Sequence, residues 1–355
     1  MPEPASDSLS TYGHIPSTHS RDEGFDTFVF WPSDPAILVG GLNSKLHNAP
    51  VSVEKVKRWI RLISPDFGQK GVDFDIFPAA LEQITTGSIL AYPTQGNTTR
   101  LALTDDLEVN KSYCCAMVGT VTDAGEYTGP IWRPWNPWQK RQHSFESLKV
   151  TEEADPESGV KLEFYNIPEE LQNDVLERDG DNCFLTGESP ASIHWIFPPT
   201  WVPKLHDIKR LWDSFCLPGN AAMMSKTVAT SMHDNAFGID VDDGFRFVTF
   251  DPLQGNLREM LGLPECLEFL GQRDPSLVTF LREHFRWCLM VHFFGENIEA
   301  EFSRGHTDAL KEAMRSHDDE ALKELKQRDL WQTPAGKEIW NRMSAKYVGS
   351  KHVNL

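Results

Sequence analysis

The 355-residue sequence predicts an α+β fold: a strand-rich N-terminal domain, then an HNH-like ββα core, then a helical C-terminal extension. Three observations predict it. Short apolar runs bounded by turn residues crowd residues 25–122 and read as strands. Apolar residues recur at helical spacing between charged ones at 53–63 and again beyond residue 275. Between these regions a helix, two short strands, a loop and a second helix follow one another, and a hairpin closes the stretch.

Taken in order, residues 1–24 are rich in Ser, Pro and Asp and poor in apolar side chains, which predicts a disordered N-terminus. A strand-rich domain is expected over 25–150. Its strands are FDTFVFW (Phe25–Trp31), PAILVGGL (Pro35–Leu42), GSILAYP (Gly87–Pro93), RLALT (Arg100–Thr104) and SYCCAMVGTVT (Ser112–Thr122). Val53, Val56, Trp59, Ile60 and Ile63 make one face of a helix whose other positions hold Lys55, Lys57, Arg58 and Arg61. IWRPWNPWQK (Ile131–Lys140) interleaves Trp with Pro and is expected as an extended loop, its indoles packed on their own domain or forming a recognition strip. The acidic stretch around TEEADPESG marks a linker over 151–164.

The module expected over 165–255 opens with a helix from Glu169 to Arg178, set up by Pro168 and stopped at Asp179-Gly180. CFLTGESPASIHWIF (Cys183–Phe197) reads as two short strands around a turn. A loop leads to Asn220, a helix runs from about Ala222 to His233, and Phe237–Phe250 reads as a hairpin turning at Asp243-Gly244. In the extension over 256–355, Ser276–Phe294 and Ala309–Leu325 read as helices.

Composition bounds the function. Apolar residues at 40% and charged residues at 24% are ordinary globular usage, so the chain can bury a core. No run reaches the ~18–20 apolar residues of a membrane helix. The N-terminus lacks the basic and apolar regions of a secretory signal, so an intracellular protein, cytoplasmic or nuclear and without a membrane partner, is expected. The six cysteines form no Cys-x-x-Cys pair, which points to buried thiols rather than a zinc ribbon. The net charge of −18 opposes broad nucleic-acid binding, which runs on Lys and Arg replacing counterions. Near the module's centre, Lys204, Lys209, Arg210 and Lys226 stand against Asp207, Asp213 and Asp234, close to balance.

Arg178-Asp179, Cys183-Phe184-Leu185-Thr186-Gly187, His194-Trp195-Ile196-Phe197-Pro198, Asn220 and Phe237-Gly238-Ile239-Asp240 follow one another in that order. In this order and spacing the module resembles the HNH-nuclease-like domain found in fungal proteins, and Leu281 and His284-Phe285-Arg286 resemble the helix that follows it there. The resemblance covers about 140 residues and leaves the N-terminal part unmatched. It implies a metal-dependent endonuclease acting on DNA or RNA, with a divalent ion (Mg²⁺, Mn²⁺ or Zn²⁺) as cofactor. His194 is then the base that takes a proton from water, and Asn220 the residue that orients it.

The pattern departs from the family at two metal-ligand slots. The helix histidine expected nine residues after the Asn is Ala229 here, and the acidic slot before the strand histidine is Ile193. His233 lies one turn beyond Ala229, on the same helix face, and Asp234 follows it, so these two are the substitute metal ligands. Structural roles stand beside each of these: a helix N-cap for Asn220, a dipole partner for His233, a packed thiol for Cys183. Two functions therefore remain open. One is the nuclease; the other is an HNH scaffold without nuclease activity, turned to a small molecule in an aromatic-lined pocket or to a protein partner.

Overall fold

The computed structural model of the protein describes residues 14–32, 36–46, 50–63, 73–83, 89–93, 100–117, 162–201, 205–251, 255–272, 275–295, 301–302 and 304–349. Residues 1–13, the tryptophan–proline stretch 131–140 and linker residues 151–161 lie outside the described residues. The fold is α+β, and the chain divides into two compact units. One comprises Met1–Trp135 with Phe293–Leu355; the other is Asn136–His292.

The first unit begins with α1 (Thr18–Asp22), β1 (Thr27–Trp31), β2 (Ile37–Leu42), α2 (Val53–Ile63), β3 (Phe74–Gln83), β4 (Ile89–Pro93) and β5 (Ser112–Met117). The strands form one sheet in the order β2-β1-β5-β3-β4, with β1 and β5 parallel and the other pairs antiparallel. All five residues of β1 are buried, so it reads as a continuous apolar run instead of an alternating one. Helix α2 buries the five apolar positions its spacing predicts. It also buries Lys57, assigned above to the polar face; its Nζ lies 3.3 Å from Asp73 and 3.5 Å from Asp75, over the Phe74 ring.

Two expectations here are corrected. Arg100–Thr104 is not a strand: the Asp105 carboxylate accepts the Ala102 N–H at 2.7 Å and closes a turn instead. Residues 14–24, expected within the disordered N-terminus, contain α1, capped where the Ser17 hydroxyl accepts the Ser20 N–H at 3.0 Å, and bury His14 and Ile15.

The second unit contains α3 (Glu169–Asp179), β6 (Ser192–Trp195), α4 (Leu205–Phe215), β7 (Ala221–Met224), α5 (Lys226–His233), β8 (Phe237–Asp240), β9 (Arg246–Thr249), α6 (Leu257–Met260) and α7 (Pro275–Cys288). Cys183–Gly187 is a turn, not a strand. The expected loop before Asn220 holds α4, and the expected helix 222–233 is a strand followed by a shorter helix. The two strands β6 and β7 pair antiparallel, His194 opposite Ala222 and Trp195 opposite Ala221. The β8–β9 hairpin turns at Gly244, in left-handed conformation at φ 65°, as Asp243-Gly244 predicts.

Side chains of the β6–β7 hairpin alternate between two cores. Trp195, Ala221 and Met223 pack with Tyr165, Leu171 and Val175 of the α3 side. Ile196, Ala222 and Met224 pack with Val228 and Met232 of α5, Phe237 and Ile239 of β8, and Leu277 and Leu281 of α7. The hairpin is thus covered on both faces, and a one-residue slip would exchange them.

The chain ends in α8 (Arg304–Ser316), α9 (Asp319–Gln327), α10 (Asp329–Gln332) and α11 (Pro334–Gly349), which belong to the first unit. They pack around Leu310, Met314, Trp331 and Ile339, with Ile15 and Phe302 in the same cluster. The extension expected over 256–355 is therefore divided between the units.

Among the described glycines of the second unit, Gly219 has the tightest surroundings. A Cβ there would lie 2.0 Å from Ser276 Oγ and 2.3 Å from the Leu277 main-chain nitrogen at the start of α7. Gly219→Ala is expected to destabilise the protein by about 1–3 kcal/mol, because main chain must move to admit the methyl group. Urea unfolding followed by tryptophan fluorescence checks this, and an unchanged midpoint would contradict the packing of the 218–220 turn on α7.

Candidate functional site

The site is built by the hairpin. On β6, His194 shares a strand face with Ile196, the face that meets α5; Ile193 and Trp195 face α3. On α5, His233 occupies the last turn, one turn beyond Ala229. These directions bring the two imidazoles together, ring centroids 5.6 Å apart at 65°. Ser192 Oγ lies 2.8 Å from His194 Nε2. His233 Nε2 lies 3.0 Å from the Trp195 carbonyl; a carbonyl only accepts, so this nitrogen carries the proton and donates it. Burial pushes the His233 pKa down to about 4, the Trp195 hydrogen bond working against that shift and His194 and His284 with it. The ring is therefore neutral at physiological pH.

Beside the two rings opens a pocket of about 320 Å³. Tyr165, Asn166, Ile167 and Gln172 line it from the start of α3; Ile193, His194 and Trp195 come from β6, and His233 from α5. Tyr165, Trp195 and His233 are buried, whereas Asn166 and Gln172 are exposed at the mouth. Trp195 is held by its indole N–H, which donates to the Tyr165 carbonyl at 3.1 Å.

Asn220 stands elsewhere. It is fully buried, and it is not a helix N-cap: it ends a 3-10 turn and runs into β7. Its Oδ1 accepts the Phe197 N–H at 2.9 Å, and its Nδ2 donates to the carbonyls of Phe197 and Phe215, each at 3.1 Å. Asp234 is exposed at the C-cap of α5 and does not line the pocket. Among the described residues, no three His, Cys, Asp or Glu side chains gather where a metal ion would sit. Of the four expected site residues, His194 and His233 meet; Asn220 and Asp234 do not join them as one donor set. Ala229 packs in the core with Val228 and Met232, and Ile193 against the α3 cluster, so both replaced ligand slots are filled by packing.

Two further groups carry the sequence motif. Arg178 and Asp179 form a two-contact ion pair, Nε–Oδ1 2.8 Å and Nη2–Oδ2 2.7 Å. Arg178 also donates to the carbonyls of Pro218 and Ala221, and Asp179 accepts the Met223 N–H, so the pair braces α3 to β7. Around the Cys183 thiol, burial acts to raise the pKa, but hydrogen bonds from the Thr186 hydroxyl and the N–H groups of Thr186, Ser225 and Leu185 outweigh it and lower the value. His284 on α7 donates Nε2–H to the Met232 carbonyl at 3.0 Å, and burial pushes its pKa down to about 4.

Comparison with protein-family models, curated proteins and solved structures finds no match to this chain.

Two predictions follow from these hydrogen bonds and pKa values. His233 and His284 have folded pKa values near 4, below the ordinary 6.5. Their neutral forms thus contribute stability that is complete above pH 6.5 and is lost as pH falls toward 4, on the order of 3 kcal/mol for each. Urea unfolding across that window should show the loss, with a shallower slope in His233→Gln; a flat profile in the wild type would contradict the assignment. Asn220→Asp keeps an oxygen that a metal would accept but loses the donor to two carbonyls. It is expected to lower stability by about 2–4 kcal/mol, since buried carbonyls and a buried carboxylate are left facing each other. Unchanged thermal stability would return Asn220 to a role outside the fold.

Proposed function

We propose that the second unit binds a small molecule in the pocket beside His194, on a ββα scaffold that does not hydrolyse phosphodiesters. The observation that carries this reading is what the expected site residues do: Asn220 serves the main chain, Asp234 lies outside the pocket, and His194 and His233 line it among carboxamide and apolar neighbours. Charge supports it. Residues 162–201 supply seven of the eight lining residues and contain eight Asp or Glu against one cation, Arg178. That cation is engaged with Asp179 and two carbonyls. Lys209, Arg210 and Lys226 are not among the lining residues. A nucleic acid needs Lys and Arg to replace its counterions, and the segment that supplies most of the lining is acidic. The volume falls at the small end of ligand sites.

The second reading is the HNH-like, metal-dependent endonuclease acting on DNA or RNA. It is favoured by the order β6, β7, α5 with His194 on the first strand, where it would serve as the base. Plasmid and single-stranded substrates with Mg²⁺, Mn²⁺ or Zn²⁺ separate the two. The expected outcome is no cleavage above background for wild type or His194→Ala. Metal-dependent cleavage that disappears in His194→Ala would overturn the small-molecule reading in favour of the nuclease.

A further inference from the structure

We infer that the ligand of the His194 pocket is an uncharged molecule with an amide-type edge, a carbonyl beside an N–H. The inference rests on the small-molecule reading above and narrows it to a chemical class. Among the described residues, none of the lining side chains is an Asp, Glu, Lys or Arg. An anion entering here would leave water without gaining a cation, and burying an unpaired carboxylate costs far more than burying a neutral amide that keeps its hydrogen bonds. The acidic surroundings oppose it further.

A cation fares little better. The carboxylates of residues 162–201 raise its concentration outside, yet none of them lines the pocket, and their reach fades over a Debye length of about 10 Å. Inside it would meet imidazoles, one of them the buried, neutral His233 that already donates to Trp195. An uncharged molecule avoids both penalties.

The amide edge follows from the mouth. Asn166 and Gln172 each present one carbonyl acceptor and one amino donor group, the complement of another amide. Gln172 Nε2 donates to the Ile167 carbonyl at 2.7 Å, which fixes the plane of its carboxamide.

Benzamide, benzamidine and benzoate test this, since they share one ring and one size and differ in charge; toluene lacks the polar edge. The readout is the ring signals of His194 and His233 in ¹³C-histidine-labelled full-length protein, assigned with His194→Gln and His233→Gln. Benzamide is expected to shift both signals saturably and to bind about tenfold tighter than the other three. Benzamidine or benzoate binding as tightly would overturn the uncharged class, and toluene binding as tightly would overturn the amide edge. Either result leaves the pocket itself as a small-molecule site. No shift with any of the four at millimolar concentration would overturn the class and the small-molecule reading together. A second variant isolates the charge argument: Gln172→Lys, at an exposed position, is expected to raise benzoate affinity to the level of benzamide. Benzoate affinity unchanged in that variant would mean that missing charge does not set the selectivity.

Discussion

The Asn220 carboxamide is the constraint on which the second unit depends. Three main-chain groups from two separate places, Phe197 after β6 and Phe215 at the end of α4, converge on one buried side chain. Each would otherwise sit in an apolar interior without water, where an unmet backbone group costs about 1–3 kcal/mol. The same residue's carbonyl accepts the Ile196 N–H at 2.8 Å, which sets where β7 begins to pair with β6. Register is then fixed, and with it the faces of the hairpin: Ala222 and Met224 toward α5 and α7, Ala221 and Met223 toward α3. Arg178 and Asp179 hold the same start of β7 from the other side. The location of His194 opposite Ala222, facing His233, is a consequence of these bonds.

The Cys183 turn follows the same economy of main-chain donors. In Cys183–Gly187 the chain folds back so that successive N–H groups surround one sulfur, and the N–H of Ser225, the residue that caps α5, joins them. The Phe184 N–H meanwhile donates to the Met223 carbonyl at 2.7 Å, anchoring the turn to β7. A sulfur so placed satisfies donors that would be orphaned at the start of a helix. Cys288 shows the contrast: it is buried beside His284 without such a set of donors, and burial raises its pKa well above the ordinary thiol value. The Cys183–Thr186–Gly187 motif is thus a structural clasp in which thiol chemistry is altered as a by-product.

How much of this was legible depended on whether a residue's role was local. Helix α2 was, because Val53, Val56, Trp59, Ile60 and Ile63 meet one core. The β8–β9 turn was, because Asp243-Gly244 supplies a residue that enters the left-handed region without strain. Strand β3 was hidden by Pro78, which sits in the sheet opposite Tyr113. Strand β7 carries no strand signal, because Ala221-Ala222-Met223-Met224 is apolar on both faces and shows no period of two. Helix α4 did leave a signal, Ile208, Leu211, Trp212 and Phe215 at helical spacing, masked by the expectation of a loop. Of the candidate site, the strand histidine and its approach by His233 were readable from spacing. That Asn220 bonds Phe197 and Phe215 was not, since its partners are main-chain atoms that no sequence pattern marks.

The two apolar positions in the motif bear on what the site can do. Ala229 faces a core containing Val228, Met232, Phe237 and Leu281, and a histidine there would have to bury its ring among them or displace them. Ile193 is half-buried: it packs against Tyr165, Leu171 and Val175 and also borders the pocket, so a carboxylate there would give up that packing. Each position is therefore tied to the packing of a different face of the hairpin, and restoring a ligand at either would cost the core that positions His194. Packing and the chemistry expected of a metal centre thus oppose each other at the same residues. What remains beside His194 is an open pocket of imidazoles and carboxamides, suited to shape and hydrogen bonding more than to the stabilisation of charge.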